Sequence, residues 1–589
     1  MSQKRFRVPD YDIVIKPHEL LVLNTPTFQR LFRIYQLGLA HLVYPFATHT
    51  RAAHSIEALC FAQRIVDSLR PELLSEDNGK RNDLIDLIRM SALLHDIAHL
   101  PYSHTLEDEN VVFETSQDDH VRLRTILDRL KSQIITPNRK RLSLLEPAPQ
   151  DYQRAMQLID AARQVLCTIA YGDQPPDKIP VGLTLLEPDL WFIADIAGNT
   201  FSADLLAYIK RDVEFTGIEK KHGAYRIFDY LSLGRDKNGK KRLAIKLTKA
   251  GLRVDVLSAI LDVLDIRYAL MERVYFHHAK CAASSMLARA ARLKKLSENE
   301  DLYSLGDEGF INYLRRKDNN PLLSVDDVTA IESILDRLDS RIFYKRIFRA
   351  TRADRVAFDK ANSPFCNRFR EPTAAQTFEN SLEDRFKMPR GTIAIFCPKE
   401  NMHLKEAKVM VLWDKHGEPK QHSALPNAYP LNGEEFAKDF PEFNQRIRGM
   451  EDRYKDLWAF YVFIDPDEFG KTALLQKYLE STIGIKNDRY IEMYLGTKPQ
   501  YRESWIIAQK GLALSMDIAA DAQDIALSQQ AAWNGKEETW PETVDMVNLG
   551  SAGLMAAYVF IALLLLSVNL YSRSGGPVKA AATATAAVF

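Results

Sequence analysis

The 589-residue sequence has no excess charge of either sign: 78 Lys and Arg face 78 Asp and Glu. That balance argues against a protein that mainly coats nucleic acid, which shows a basic excess. It also argues against a disordered solvating chain, because 46% of the residues are hydrophobic and 10% aromatic, enough to bury large cores. Cysteine is scarce. The five, at positions 60, 167, 281, 366 and 397, are scattered and form no Cys-x-x-Cys pair, which disfavours a disulfide framework or a cysteine zinc knuckle. No apolar leader follows Met1-Ser2-Gln3-Lys4-Arg5, so no signal peptide is expected, and the bulk of the chain reads as cytoplasmic. Long apolar runs are lacking until Leu549–Tyr571, which is 23 residues without a charged side chain. At about 1.5 Å per residue such a helix could cross a hydrocarbon core of about 30 Å. A single C-terminal membrane span is therefore expected, with a buried or interface helix as the alternative. Arg573 and Lys579 follow the run and Asp545 precedes it, the reverse of what a cytosolic body needs for its anchor.

The rest reads as mainly α. Apolar residues recur at helical spacing from Leu84 to His99, where Pro101 is expected to stop the helix. Two β-like runs between Tyr225 and Leu247 flank Asp236-Lys237-Asn238-Gly239, and the Asn-Gly pair predicts a hairpin. From about Gly391 the texture changes to strands, Thr392–Phe396 and Val409–Trp413, the second followed by a His416-Gly417 turn. The expected organisation is a helical core over 1–350, a smaller mixed α/β lobe over 351–470, a helical segment over 471–547, the apolar helix at 549–571 and a disordered, low-complexity tail at 572–589. Gly470-Lys471-Thr472 is rejected as a phosphate loop because Asp465 stands at the place of its first glycine. Asn138-Arg139-Lys140-Arg141 reads as a solvated connector.

Histidine is where the chemistry concentrates. Seven of the fourteen, at 41, 49, 54, 95, 99, 104 and 120, lie within 80 residues, and imidazole is both the commonest metal ligand and the usual proton shuttle near neutral pH. His41 and His49 are read as ordinary packed or surface residues. The sharper signal is Ala92-Leu93-Leu94-His95-Asp96-Ile97-Ala98-His99-Leu100-Pro101-Tyr102-Ser103-His104. An apolar approach to adjacent His and Asp puts two ligands at a buried helix end, where unpaired charge is costly unless a metal or partner compensates it. The four-residue spacing places His95 and His99 on one helical face. Upstream, Thr48–Ser55 offers His54 as a third ligand and Arg51 as a guanidinium suited to phosphate. In Phe201–Gly217, Asp204, Tyr208 and Asp212 are spaced to line one face of a helix, with Asp204 as the fourth ligand.

The ordered set His54, His95-Asp96, Asp204 resembles the signature of the HD-domain metal-dependent phosphohydrolases. More narrowly, Thr25–Leu31 with Gln36-Leu37-Gly38, then Tyr44–Ser55, His95–His104, Asp204–Gly217, Arg273–Lys280 and Phe343-Tyr344-Lys345 are similar to the deoxynucleoside triphosphate triphosphohydrolases. That branch includes the sterile-alpha-motif and HD-domain antiviral enzyme and bacterial dGTPase-like proteins. The resemblance implies an HD-domain helical core. It also implies that His54, His95, Asp96 and Asp204 hold a divalent ion such as Mg, Mn, Fe or Zn, and that His104 supplies the nucleophilic or acid/base function, with His99, Glu107 and His120 around it. Arg51 would contact phosphate; Gln36, Leu37, Tyr208 and Asp212 would hold the deoxyribose; Tyr275 and His277 would lie around sugar, base and phosphates. Ala207 and Ala98 depart from the family pattern without removing a ligand. Asn24 and Phe32 stand where the antiviral enzyme's regulatory nucleotide site carries charge, which argues against nucleotide-triggered assembly. The implied activity is conversion of a dNTP to deoxynucleoside and inorganic triphosphate, in a homo-oligomer with possible membrane attachment and no dedicated nucleic-acid site. The alternatives are another HD phosphohydrolase acting on a cyclic or signalling nucleotide, and a non-catalytic membrane-attached sensor or scaffold.

Overall fold

The computed structural model describes residues 4–487, except 9–10, 70–72, 74–77, 111, 114–118, 136–147, 173–189, 199–200, 221–223, 248–252, 297, 300, 317–322, 363, 399–408 and 414–424. The apolar run Leu549–Tyr571, the tail 572–589, the basic run at 138–141, the His416-Gly417 turn and most of the helical segment 471–547 lie outside the described residues. Among the described residues no helix is long and apolar enough to cross a membrane.

The described chain is mostly helical with three small sheets. Its centre is a packing of α1 (Arg51–Ser68) against α2 (Asn78–Leu94) and α3 (Ala203–Thr216). The inward faces carry Ala58, Leu59, Phe61, Leu87, Met90, Leu94, Leu205 and Ile209, all within one large apolar core. Local signals start two of these helices where the site needs them. Thr50 accepts a hydrogen bond from the Ala53 amide at 3.4 Å and Ser202 from the Leu205 amide at 3.2 Å, so Arg51, His54 and Asp204 fall in first turns. Further along come α4 (Val254–Leu270), α5 (His278–Leu293) and α6 (Asp307–Arg315).

The expected hairpin is present: β1 (Leu231–Arg235) pairs antiparallel with β2 (Lys241–Lys246), and Gly239 takes φ +77° in the turn. β2 then pairs parallel with β5 (Met410–Leu412). The other C-terminal sheet has the order β3 (Lys345–Thr351), β6 (Ala459–Ile464), β4 (Ile393–Phe396), all antiparallel. Its alternation divides two cores, because successive side chains of a strand point to opposite faces. Ala459, Tyr461 and Phe463 pack into the large core, whereas Phe460, Val462 and Ile464 join Phe348, Phe365 and Trp458 in a second one. All five cysteines are buried and none is in a disulfide.

One sequence expectation fails. The helix leading into the histidine motif ends at Leu94, and residues 95–98 are turns, so His95 and His99 do not share a helical face. The turns close through i to i−3 bonds, Ile97 N–H to Leu94 O at 3.0 Å and His99 N–H to Asp96 O at 3.3 Å, and Pro101 has no N–H to offer the Ile97 carbonyl, four residues back. The buried Arg30 takes over, donating from Nη2 to Ile97 O at 2.9 Å and from Nη1 to His99 O at 2.8 Å.

Asp307, at the start of α6, is 5% exposed and accepts hydrogen bonds from the amides of Tyr35 (2.8 Å) and Tyr102 (2.6 Å). Burial raises its carboxyl to about 6, although those amides and the charges of Arg51 and Arg30 oppose the shift. Its folded value lies above its unfolded one, so the folded state binds the proton more tightly. The associated stability is present below the unfolded value and is lost as pH rises through about 6. Wild type should therefore gain on the order of 1 kcal/mol over Asp307→Asn on going from pH 7.5 to pH 5. Chemical unfolding of both proteins at the two pH values checks this; a pH-independent difference would show that Asp307 does not titrate in this window.

Candidate metal centre

Three helices deliver the four expected ligands to one point. His54 projects from the first turn of α1, His95 and Asp96 follow the end of α2, and Asp204 lies in the first turn of α3, where a helix N-terminus favours negative charge. His54 Nε2 stands 3.0 Å from His95 Nε2, 3.2 Å from Asp204 Oδ1 and 3.6 Å from Asp96 Oδ2. His95 Nε2 stands 3.4 Å from both Asp96 Oδ1 and Asp204 Oδ1. His54, His95 and Asp96 form a group whose geometry could hold a metal ion, and Asp204 completes the ring of donor atoms.

The tautomer of His95 tests the fit. Its Nδ1 faces Ala92 O at 2.8 Å; a carbonyl only accepts, so Nδ1 carries the hydrogen and Nε2 of the neutral ring presents a lone pair. That lone pair meets the carboxylates of Asp96 and Asp204 and the second imidazole. Only a proton or a cation reconciles them. Around a cation bound at about 2.1 Å, neighbouring ligand atoms are separated by about 3.0 to 3.4 Å in octahedral or tetrahedral arrangements; four of the five observed separations fall in that range, and the His54–Asp96 distance of 3.6 Å is slightly longer. The protonation behaviour reports the same negative field. Burial opposes charge on His95, yet Asp96 and Asp204 push it up to about 9. Burial likewise opposes ionisation of Asp96, but Arg51, His95 and His99 hold it well below the usual carboxylate range. Asp204 is shifted down too, by His54 and His95 against burial.

Arg51 ties the centre to its surroundings. Only 1% exposed, it donates from Nη1 to Asp96 Oδ2 and from Nε to Ser103 Oγ, while its buried Nη2 has no hydrogen-bond partner among the described residues. His99 is enclosed between Asp96 Oδ1 at 3.4 Å and Glu107 Oε2 at 3.7 Å; burial and then Arg51 lower it, despite both carboxylates. Glu107 is spoken for by the buried Arg122. His104 meets His99 edge to face at 4.8 Å and pairs through Nδ1 with Asp108 Oδ2 at 2.8 Å. Its side chain is 46% exposed. Desolvation works against its charge, but Asp108 raises it, leaving Nε2 as the nitrogen free to act. Asp108 was not singled out in the sequence, although its i, i+4 spacing from His104 was a readable signal.

A second wall faces these groups. Tyr208 and Asp212 follow Asp204 along α3, as the spacing predicted. Asp212 is 1% exposed and both its oxygens are engaged, by His49 Nε2 at 2.7 Å and by the hydroxyl of Tyr275. Tyr275 ends a widened π turn, Met271–Tyr275, that continues α4. His49, taken from sequence as ordinary packing, thus sets one side of this wall. His277 caps α5 by accepting from the Ala279 amide at 3.3 Å and sits 6.2 Å from the Tyr44 ring. Gln36 presents a buried Oε1 with no hydrogen-bond partner among the described residues, and Leu37 packs its side chain on the core. His120 instead turns its ring to Tyr171, 6.1 Å away.

Mass action gives a direct test of the centre. At Mn²⁺ 100-fold above its Kd, a cation bound only by the folded state adds about 2.7 kcal/mol. Wild-type protein should therefore melt at higher temperature with Mn²⁺, and Asp204→Ala should lose that rise at the same concentration. An equal rise in the variant would place the cation elsewhere.

Comparison with known families agrees with this geometry. Residues 51–161 match the family described as HD domain, a span that contains His54, His95 and Asp96. The chain is 27% identical over 349 residues to an uncharacterised protein of Methanocaldococcus jannaschii, covering 57% of each chain. It is 24% identical over 353 residues to the deoxynucleoside triphosphate triphosphohydrolase SAMHD1 of Xenopus laevis, covering 56% of this chain and 54% of that one. With the Danio rerio protein of the same name it shares 38% identity over 98 residues, 16% of this chain and 15% of the relative. The chain thus spans little more than half the length of the relatives it matches most extensively. It carries an HD domain, built on the helices that assemble the His54, His95 and Asp96 cluster, and is similar to the HD-domain deoxynucleoside triphosphate triphosphohydrolases.

Proposed function

We propose that the protein is a metal-dependent phosphohydrolase that converts dNTPs to deoxynucleoside and inorganic triphosphate. The observation that carries this reading is the convergence of His54, His95, Asp96 and Asp204 beside the His104–Asp108 pair. A divalent ion held by those four ligands would polarise a phosphoryl oxygen and offset charge on the triphosphate. The protein's own groups supply the rest. Water adds to the α-phosphorus, giving up a proton to solvent, as the bond from that phosphorus to O5′ breaks. His104, kept protonated by Asp108, gives its Nε2 proton to the departing O5′. Arg51 meets a phosphate oxygen through Nη2, the donor left over from its bonds to Asp96 and Ser103. His99 and Glu107 back the loop that carries His104.

The sugar is held on the other wall. Gln36 Oε1 is a buried acceptor with no hydrogen-bond partner among the described residues, suited to a sugar hydroxyl. Tyr208, between Asp204 and Asp212 on α3, stands where its ring can exclude a 2′-hydroxyl, and the fixed Asp212–Tyr275 pair keeps that wall rigid. Relatives bearing the triphosphohydrolase name support the substrate class.

The test is a product screen. Purified protein with Mn²⁺ or Mg²⁺ should release tripolyphosphate and deoxynucleoside from at least one of the four dNTPs. Release of monophosphate or pyrophosphate from a cyclic or signalling nucleotide would assign it to another reaction of the HD class. Tyr208→Ala should narrow the preference for the dNTP over its ribonucleotide by about tenfold or more, read as the ratio of kcat/KM values. An unchanged ratio would remove Tyr208 from the sugar contact.

A further inference from the structure

We propose that Asp307 is a positioning residue: its carboxylate clamps together the two backbone segments that present Gln36 and His104, and so sets the geometry of the catalytic loop. The statement about catalysis rests on the function proposed above; the clamp itself does not.

The geometry is specific. One oxygen of Asp307 accepts the Tyr35 amide and the other accepts the Tyr102 amide, so one side chain joins segments 272 and 205 residues away in sequence. Each anchored amide is close to a proposed site residue: Tyr35 precedes Gln36, and Tyr102 lies two before His104. The second segment needs holding. Tyr102 and Ser103 have φ of +57° and +53°, a left-handed conformation that side chains with a Cβ resist unless their surroundings enforce it. The enforcement comes from three buried charged side chains. Arg30 binds the carbonyls of Ile97 and His99, Arg51 binds Ser103, and Asp307 binds the Tyr102 amide.

Two glycines show that the approach is built into the fold. A Cβ on Gly306 would lie 2.5 Å from Arg33 Cβ and 2.6 Å from Arg33 O, so glycine lets the start of α6 press against the 3-10 turn Arg30–Arg33 that leads to Tyr35. A Cβ on Gly38 would lie 3.2 Å from both Tyr102 O and Thr105 Oγ1, so the two clamped segments also touch each other. Removing the carboxylate leaves two amides without their acceptor. The left-handed turn then loses one of its restraints, and His104 drifts relative to the ligand cluster, which is held by other elements.

The experiment uses the full chain as wild type, Asp307→Ala and Asp307→Asn. The Asn variant keeps the shape and one carbonyl acceptor and so preserves folding if the Ala variant does not fold. Three quantities are read: amide hydrogen exchange in peptides spanning 33–38 and 100–105, Mn²⁺ affinity by calorimetry, and kcat and KM for the dNTP that wild type cleaves best. Expected for Asp307→Ala are exchange at least about tenfold faster in those two peptides alone, Mn²⁺ affinity within about twofold, and kcat lower by about 10- to 100-fold with little change in KM. Asp307→Asn should fall between. Unchanged exchange in both folded variants would overturn the clamp. Faster exchange with unchanged kcat, or with Mn²⁺ affinity lost in parallel, would overturn the positioning role. If wild type cleaves no dNTP, the functional reading fails, and the exchange data still decide whether Asp307 is a clamp.

Discussion

The constraint on which the rest depends is the burial of Asp96. A carboxylate 4% exposed is tolerable only when its charge is compensated, and three kinds of compensation meet on it. Arg51 binds one oxygen directly. His95 and His99 lie within 3.4 Å of the other, and His54 is 3.6 Å from the Arg51-bound oxygen. The three helices that surround Asp96 are thereby committed to a fixed relative placement, since each must bring one of these partners to it or, as α3 does with Asp204, add a further donor. The grouping of the donor atoms, the pinning of Arg51 and the enclosure of His99 are then consequences of one electrostatic requirement.

The same rule runs through the molecule. Glu107 is paired by Arg122, Glu19 by Arg89, Glu57 by Arg211, and Glu379 and Glu383 by Arg289 and Arg292. In several of these pairs both side chains are completely buried. Such pairs add little net stability over apolar substitutes, but losing one partner strands the other in a medium that cannot solvate it. Their value is in specifying which elements meet. The equality of acidic and basic residues over the chain accords with an interior that uses charges in matched sets.

Much of the site was legible because its residues are tied to local signals. Asp204, Tyr208 and Asp212 share a face by helical period alone, and Thr50 and Ser202 mark where their helices begin. The hairpin around Gly239 followed from its turn residues. The reading failed where backbone and tertiary demands conflict. His95 and His99 have helical spacing, but the chain after Leu94 closes turns through i to i−3 bonds, and Arg30, distant in sequence, takes the carbonyls of Ile97 and His99. His49 looked like packing because nothing local announces its bond to Asp212, 163 residues away.

By itself the sequence determined the donor types, their order and the helix starts that place His54 and Asp204, since periodicity, capping and turn chemistry act over a few residues. Tertiary structure decided which nitrogen of His95 faces the cluster, that Asp212 is held from two sides, and that Asp307 grips two amides far from it in the chain. Those outcomes depend on where buried charges find their counterparts. A buried charge is satisfied by distance in space, and no local pattern of residues encodes that distance.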